Sequence, residues 1–257
     1  MCDEWMDGLQ LPLTIEQFHR LPRNAAFKYE YFGGAAYLSP RPKYFHALLE
    51  LPAQPLPNAA AVALRPTQDG DWEGLVPLFA AAFRGVVPFG TLEDGPRRDA
   101  ARKSLQFTRD GGDGPRIDRA SFVAETSDGT HALGAILVTL LPDEDPSEWT
   151  AFHWKEAPPA DCLERNLGRP HLTWIFVSPI DSGRGVATAL LNAAVRELLA
   201  MGYARLASTF VLGNDSSLLW HWRCGFRLAE YPGSLRKLES TLSRQRKTGD
   251  SPANDAT

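Results

Sequence analysis

The sequence predicts a mixed α/β fold, a sheet flanked by helices, preceded by a small extension made of one helix and a β-hairpin. Three observations carry this. From about residue 60 to 236, short apolar strands alternate with segments of helical periodicity. Two strands around residues 121–140 are joined by a Ser127-Asp-Gly turn, which makes an antiparallel pair. The most hydrophobic strand, His171 to Val177, runs through a glycine-rich turn into the clearest amphipathic helix. With 257 residues, the chain has room for one large domain plus an extension. The expected division is residues 1–57 for the extension, 58–239 for the main domain and 240–257 for a polar, frayed tail.

In the extension, Thr14 and Gln17 have the spacing of a capping box, so a short helix follows Thr14. Phe27 to Phe32 and Ala35 to Ser39 read as hairpin strands about the Gly33-Gly34 turn. Prolines 40, 42, 52, 55 and 57 then mark a passage, and residues 52–58 read as the linker. The main unit opens with a strand, Ala61 to Pro66. A helix follows from Asp69 to Arg84, where Trp72, Leu75, Val76, Phe79 and Phe83 recur at helical spacing and Pro77 invites a kink. Helix is expected again from Arg97 to Phe107. Residues 142–170 form an acidic, proline-rich insert. The helix from Gly185 to Met201 ends at Gly202, which suits a left-handed cap. A strand from Arg205, a short helix from Asn214 to Arg223 and a final strand pair after Gly225-Phe226 complete the unit.

Composition narrows the function classes. Lys and Arg number 27 against 31 Asp and Glu, and 27 − 31 = −4 does not describe a protein that coats nucleic acid. The 3 Cys are too few and too scattered for a disulfide framework or a zinc knuckle, and they fit a reducing compartment. No apolar run is long enough to span a bilayer, and the acidic Met1-Cys-Asp-Glu-Trp start does not read as a signal peptide. The expectation is a cytoplasmic protein without a metal or a membrane partner.

One segment carries chemistry. A buried strand stops at Pro179, glycines follow, and a long helix begins at once. The first amides of a helix have no internal partner and point into the turn, where the helix dipole also favours an anion. Gly183 and Gly185 allow close backbone approach, and Arg184 adds a charged fork. The residues alone describe a pyrophosphate cradle, the other reading being a plain strand-turn-helix with convenient glycines. They match neither a Walker loop nor the dinucleotide fingerprint.

Val177-Ser178-Pro179, Ile180-Asp181, then Ser182-Gly183-Arg184-Gly185-Val186-Ala187 resembles the signature of the GNAT acetyltransferase superfamily. A second landmark of that family matches as Asn214, Ser217, Trp220, His221 and Gly225-Phe226. The order of elements over residues 60–236 is similar as well. The resemblance implies a mainly antiparallel sheet with splayed central strands and acetyl-CoA, or another acyl-CoA, as cosubstrate. It implies that the Val177 backbone bonds the pantetheine arm, that the amides of Ser182 to Ala187 hold the pyrophosphate, and that Asn214 reaches the arm from the other side. The acceptor would be a primary amine of a small molecule or a protein, attacking the thioester directly. The alternative is an acyl-CoA-binding sensor without turnover. Two departures bear on that choice: Ser182 stands where the family has Gln or Arg, and His221 where many members have the Tyr that protonates the thiolate.

For the base, His171 lies six residues before Val177, where some members carry a carboxylate. Strand alternation predicts His171, Thr173, Ile175 and Val177 on one face. The other reading of His171 is a strand cap in solvent. Glu125 is a rival base, or simple strand-edge polarity. His221 is the candidate acid, or an aromatic packed beside Trp220 and Trp222. Cys224 reads as core. The insert, with Glu148, Trp149, Phe152, His153, Trp154 and Glu156, reads as an acceptor pocket or as a plug over the sheet edge. Leu13 to Phe18, Leu21-Pro22, Tyr29-Glu30 and Leu38-Ser-Pro40 resemble the N-terminal part of some PD-(D/E)XK-type endonucleases. No Glu-x-Lys follows, so nuclease activity is not carried over. The hairpin is expected to dock on the main domain or on a second subunit as a homodimer contact.

Overall fold

The computed structural model describes residues 8–23, 27–40, 44–52, 54–142, 154, 156–211 and 213–229. The elements in chain order are β1 Leu9–Pro12, α1 Ile15–Arg20, β2 Phe27–Phe32, β3 Ala35–Pro40, β4 Tyr44–Glu50, β5 Ala63–Pro66, α2 Asp71–Ala82, α3 Asp94–Arg109, β6 Phe122–Glu125, β7 Ala132–Leu141, β8 Arg169–Val177, α4 Val186–Ala200, β9 Arg205–Val211, α5 Asp215–Arg223 and β10 Arg227–Leu228. The fold is the mixed α/β class. The tail beyond residue 239 and insert residues Glu148, Trp149, Phe152 and His153 lie outside the described residues.

The capping box is present: Gln17 N–H donates to Thr14 Oγ1 at 3.2 Å, and Thr14 N–H to Gln17 Oε1 at 2.8 Å. β1, β3 and β2 form a three-stranded antiparallel sheet, with the turn at Gly33-Gly34. Phe18, Ala36 and Leu38 make its own small core, sealed by Leu11, Leu13, Phe27, Tyr29 and Tyr31.

The main sheet has seven strands in the order β10-β4-β9-β8-β7-β6-β5. All neighbours are antiparallel except β8 and β9. One face packs on α4 through Ile136, Val138, Leu140, Leu190, Leu191, Ala194 and Leu198. The other packs on α2 and α3 through Leu75, Phe79, Ala101, Leu105, Leu137 and Phe176. α2 runs through Pro77 without ending.

Two features depart from the sequence reading. Tyr44–Glu50, read as passage within the extension, is a full strand, paired with all seven residues of β9 from Tyr44↔Val211 to Glu50↔Arg205. The described partner of β10 is this N-terminal strand and not a following one. Ala47 and Leu49 explain why, since both are buried in the α4-side core. Without β4, β9 would be an open edge over apolar side chains.

Removing residues 1–43 should therefore leave a folded protein, whereas removing residues 1–57 strips β4 and should unfold it. In the full chain Leu49→Ala should cost about 3 kcal/mol. Thermal unfolding of both truncations checks this, and equal melting points would sink it.

Candidate active site where two strands part

β8 and β9 run parallel but pair only at His171↔Ala207 and Leu172↔Ser208. Among the described residues, Thr173 to Val177 have no strand partner on the β9 side. On the other side β8 stays paired with β7 to Val177↔Gly134. The register of that pair shifts between Leu137, opposite Trp174, and Val138, opposite Leu172, so Thr173 is the extra residue of a bulge.

The bulge overturns the expected alternation. Leu172, Ile175 and Val177 pack toward α4, while Trp174 and Phe176 pack toward α2 and α3. Thr139 lies between Val138 and Leu140 on β7, so it points to the α2/α3 face. His171, opposite it, does the same. His171 and Thr173 are thus on one face, and Ile175 and Val177 on the other.

His171 is buried rather than a cap in solvent, and it belongs to a chain of hydrogen bonds across four strands. Thr139 Oγ1 donates to the Asp113 carbonyl at 2.8 Å. Its 2.8 Å contact with Thr173 Oγ1 must then be donated by Thr173. Thr173 in turn accepts from His171 Nδ1 at 3.1 Å. The 3.4 Å approach of Thr173 Oγ1 to the His171 carbonyl is the longer alternative, and it would leave the 2.8 Å contact without a proton. With its proton on Nδ1, His171 accepts at Nε2 from Thr209 Oγ1, 3.1 Å away. Thr209 then accepts from Nδ1 of His46 at 3.1 Å. The tautomers follow from this donor count. Burial first, then the Arg169 and histidine charges, pushes His171 down to about 3. Burial and Arg169 push His46 down to about 4.

His221 sits across the sheet. Ser208 lies between Leu206 and Phe210, which belong to the α4-side core, and its hydroxyl meets His221 Nε2 at 2.7 Å. His221 Nδ1 donates to the Ser217 carbonyl at 2.7 Å, so Nε2 accepts from Ser208. The ring stacks on Phe210 with centroids 4.3 Å apart and meets Trp220 and Phe226 edge-on. Burial pushes His221 down to about 4. Two neutral imidazoles therefore flank the parting strands, one on each face.

Glu125 lies elsewhere. It closes an ion cluster in which Arg65 meets Glu125 at 2.7 Å and Asp71 at 2.7 Å. These bonds, above all that to Asp71, hold Arg65 charged. The arrangement ties β5, β6 and the start of α2 together and does not bring Glu125 to His171 or His221.

Past Val177, Ser178 N–H bonds the Leu133 carbonyl at 2.8 Å. A short turn at Pro179–Asp181 leads to Ser182 and to Gly183, whose φ of 77° only glycine adopts readily. A Cβ on Gly183 would meet nothing within 4 Å, so the turn is open there. Arg184 is exposed and pairs with Asp181 at 3.2 Å. Gly185 is the residue before α4, with φ 85°. Its missing side chain makes room for the chain itself and not only for a ligand, because a Cβ would collide with the Asn58 carbonyl. The first i→i−4 bond of this helix end runs from Ala189 N–H to the Gly185 carbonyl, so the amides of Val186, Ala187 and Thr188 precede it. Asn214 caps α5, its Oδ1 accepting from Ser217 N–H at 3.2 Å. Trp154, from the insert, donates to the Leu140 carbonyl at 2.8 Å and packs on the core, so at this residue the insert is a plug. Cys224 is buried. His46, Thr209 and Ser208 were not singled out by the sequence. The signal for His46 was the apolar run Tyr44 to Leu49 between prolines. No helix among the described residues is long and apolar enough to cross a membrane.

Residues 99–226 match the Acetyltransferase (GNAT) family. Among solved structures, a GCN5-related N-acetyltransferase from Sphaerobacter thermophilus is 13% identical, covering 86% of this chain and 56% of that one, with a TM-score of 0.47. The chain thus spans little more than half the length of that protein. A GNAT family acetyltransferase from Brucella melitensis, in complex with acetyl-CoA, is 19% identical, covers 66% of this chain and 88% of that one, and has a TM-score of 0.44. An aminoglycoside N-acetyltransferase in complex with CoA is 20% identical over 68% and 93%, with a TM-score of 0.41. No curated protein matches the chain.

The histidine cluster makes stability depend on pH. His46, His171 and His221 have folded pKa values of about 4, 3 and 4, below the unfolded 6.5. The unfolded chain therefore binds protons first as pH falls below 6.5, and stability is lost from there toward pH 4. Each histidine contributes a slope of up to about 1.4 kcal/mol per pH unit. Denaturant midpoints at pH 7, 6 and 5 should fall steeply, and a flat series would show that the three rings are not held neutral.

Proposed function

The chain carries a GNAT-family acetyltransferase domain at residues 99–226, and we propose that it is an acyl-CoA-dependent N-acyltransferase that moves an acetyl group from acetyl-CoA to a primary amine. The observation that carries this reading is the parting of β8 from β9 directly upstream of a glycine turn and a helix N-terminus. An extended pantetheine arm can add itself to the unpaired edge of β8 near Val177, as a peptide adds to a sheet edge. Its pyrophosphate then meets the amides of Gly183, Gly185, Val186 and Ala187, whereas those of Ser182 and Arg184 donate to the Pro179 and Asp181 carbonyls at 3.4 and 3.3 Å. Ser178 and Pro179 turn the chain from one task to the other, and Asn214 stands at the start of α5 across the gap. The unit that does this comprises β4 as well as the segment from residue 58 onward.

The proposed chemistry is direct attack of the amine on the thioester carbonyl, with CoA leaving as thiolate. An amine of pKa about 10.4 must first lose a proton, at about 4–5 kcal/mol at pH 7. His171 approaches this step through the Thr209 hydroxyl, which fills its Nε2. A ring held at about 3 takes up little proton at neutral pH. We assign it the orientation of Thr209 toward the amine, with solvent as the proton's destination. The CoA thiol resembles a free Cys, about 8.5, so the thiolate needs little help from His221.

A second reading, an acyl-CoA-binding module without turnover, is favoured by one observation: the site histidines are neutral and both nitrogens of His171 and His221 are bonded within the protein.

Thiol release from acetyl-CoA with a panel of primary amines separates the two readings. CoA should raise the melting temperature. Gly183→Val, whose Cβ would meet nothing within 4 Å but which strains a left-handed position by about 1–2 kcal/mol, should leave a folded protein with that response lost. An unaltered response would remove the cradle from the reading. Turnover should rise with pH toward the amine pKa and show no limb near 6.5. A limb near 6.5 that vanishes in His171→Ala would make His171 the base after all. His221→Ala should lower turnover by about tenfold, below the usual general-acid range.

A further inference from the structure

The segment between β4 and β5 lies along the first half of α4 and is fastened to that helix and its N-cap residue by three hydrogen bonds. Leu56 N–H donates to Asn192 Oδ1 at 2.8 Å, and Asn192 Nδ2 donates to the Leu56 carbonyl at 3.1 Å, a reciprocal amide pair. Ala60 N–H donates to the Gly185 carbonyl at 3.1 Å. Between them Asn58 takes a left-handed conformation, φ 61°, and lays its carbonyl in the space where a side chain of residue 185 would be. Leu56 and Ala60 also pack on the α4-side core.

The bond to Gly185 has a geometric consequence. Its carbonyl receives Ala60 N–H and Ala189 N–H, so both lone pairs are used. A peptide unit is planar and trans, so the Val186 N–H points opposite to the Gly185 C=O. Holding that carbonyl from behind aims the Val186 amide forward, into the turn that Gly183 leaves open.

We propose that Leu56–Ala60 is a backbone clasp that positions the anion cradle, and that Asn192 is its positioning residue, one that touches the linker and not the cosubstrate. This rests on the acyl-CoA reading. It places part of the cofactor machinery outside residues 99–226. It also gives the linker a job beyond joining two elements, because freeing it leaves the Gly185 carbonyl held by Ala189 N–H alone.

The test is calorimetric titration of the full chain with CoA, and with inorganic pyrophosphate as the minimal probe, beside unfolding curves without ligand. Asn192→Ala removes both amide bonds and should weaken CoA by about tenfold, the size of one or two hydrogen bonds. Asn192→Asp keeps an acceptor for Leu56 N–H and should recover part of that loss. Ala60→Pro removes the donor to Gly185 and should weaken pyrophosphate as much as CoA. With an acceptor amine, Asn192→Ala should raise the KM for acetyl-CoA and leave kcat unchanged. A variant that melts lower yet binds CoA and pyrophosphate as the wild type does would make the clasp purely structural and overturn the proposal. If the wild type itself bound no CoA, the reading of the site would fail, and the clasp with it.

Discussion

Everything at the candidate site depends on two parallel strands separating after two residue pairs. In the middle of a sheet this is expensive, because backbone groups of both strands lose their ladder partners. The bulge supplies the cause. Thr173, the extra residue of β8, comes directly after Leu172, the last residue paired with β9. A bulge bends its strand and increases the local twist. β9 cannot follow, since all seven of its residues are paired with β4 on the other side. One strand turns, the other is held, and a gap opens between them.

The side chains at the base of that gap are chosen for hydrogen bonding without charge. Threonine and serine hydroxyls donate once and accept elsewhere, so they can join two imidazoles in series. The Asp113 carbonyl can only accept. It therefore sets the direction of every bond from Thr139 to His46. A carboxylate in the same place would also only accept, but it would carry a buried charge. The neutral chain spans β7, β8, β9 and β4, and so links the strand that bends to the strand that holds.

Much of this was legible. The glycine turn, the helix from residue 185, the Ser127-Asp-Gly hairpin, the Thr14 cap and the short helix at Asn214 all rest on local chemistry, and all are present. What the sequence concealed depends on pairing between distant residues. The alternation from His171 to Val177 reads as one face until β7 shows that Thr173 is extra. Glu125 reads as a possible base until Arg65, sixty residues earlier, is found beside it. Tyr44 to Glu50 looks like a passage because prolines flank it, and nothing local announces that β9 lacks a neighbour. The second glycine of the turn reads as a ligand contact, whereas the space it leaves is taken by Asn58.

These hidden pairings share a direction: they bring the N-terminal quarter of the chain to the site. β4 holds β9 in place on one side of the gap, and His46 from the same strand extends the hydroxyl chain. The linker that follows β4 lies on the helix start beyond the gap. A strand and the linker leaving it are covalently continuous, so shifting β4 along β9 by one residue would pull Leu56 and Ala60 off their partners. A one-residue slip would also turn Ala47 and Leu49 out of the core. Core packing thus sets the register of β4, that register sets where the linker reaches α4, and the linker, with Ala189 N–H, holds the Gly185 carbonyl. The apolar residues of a strand far from the glycine turn in sequence therefore help to hold the peptide that ends that turn.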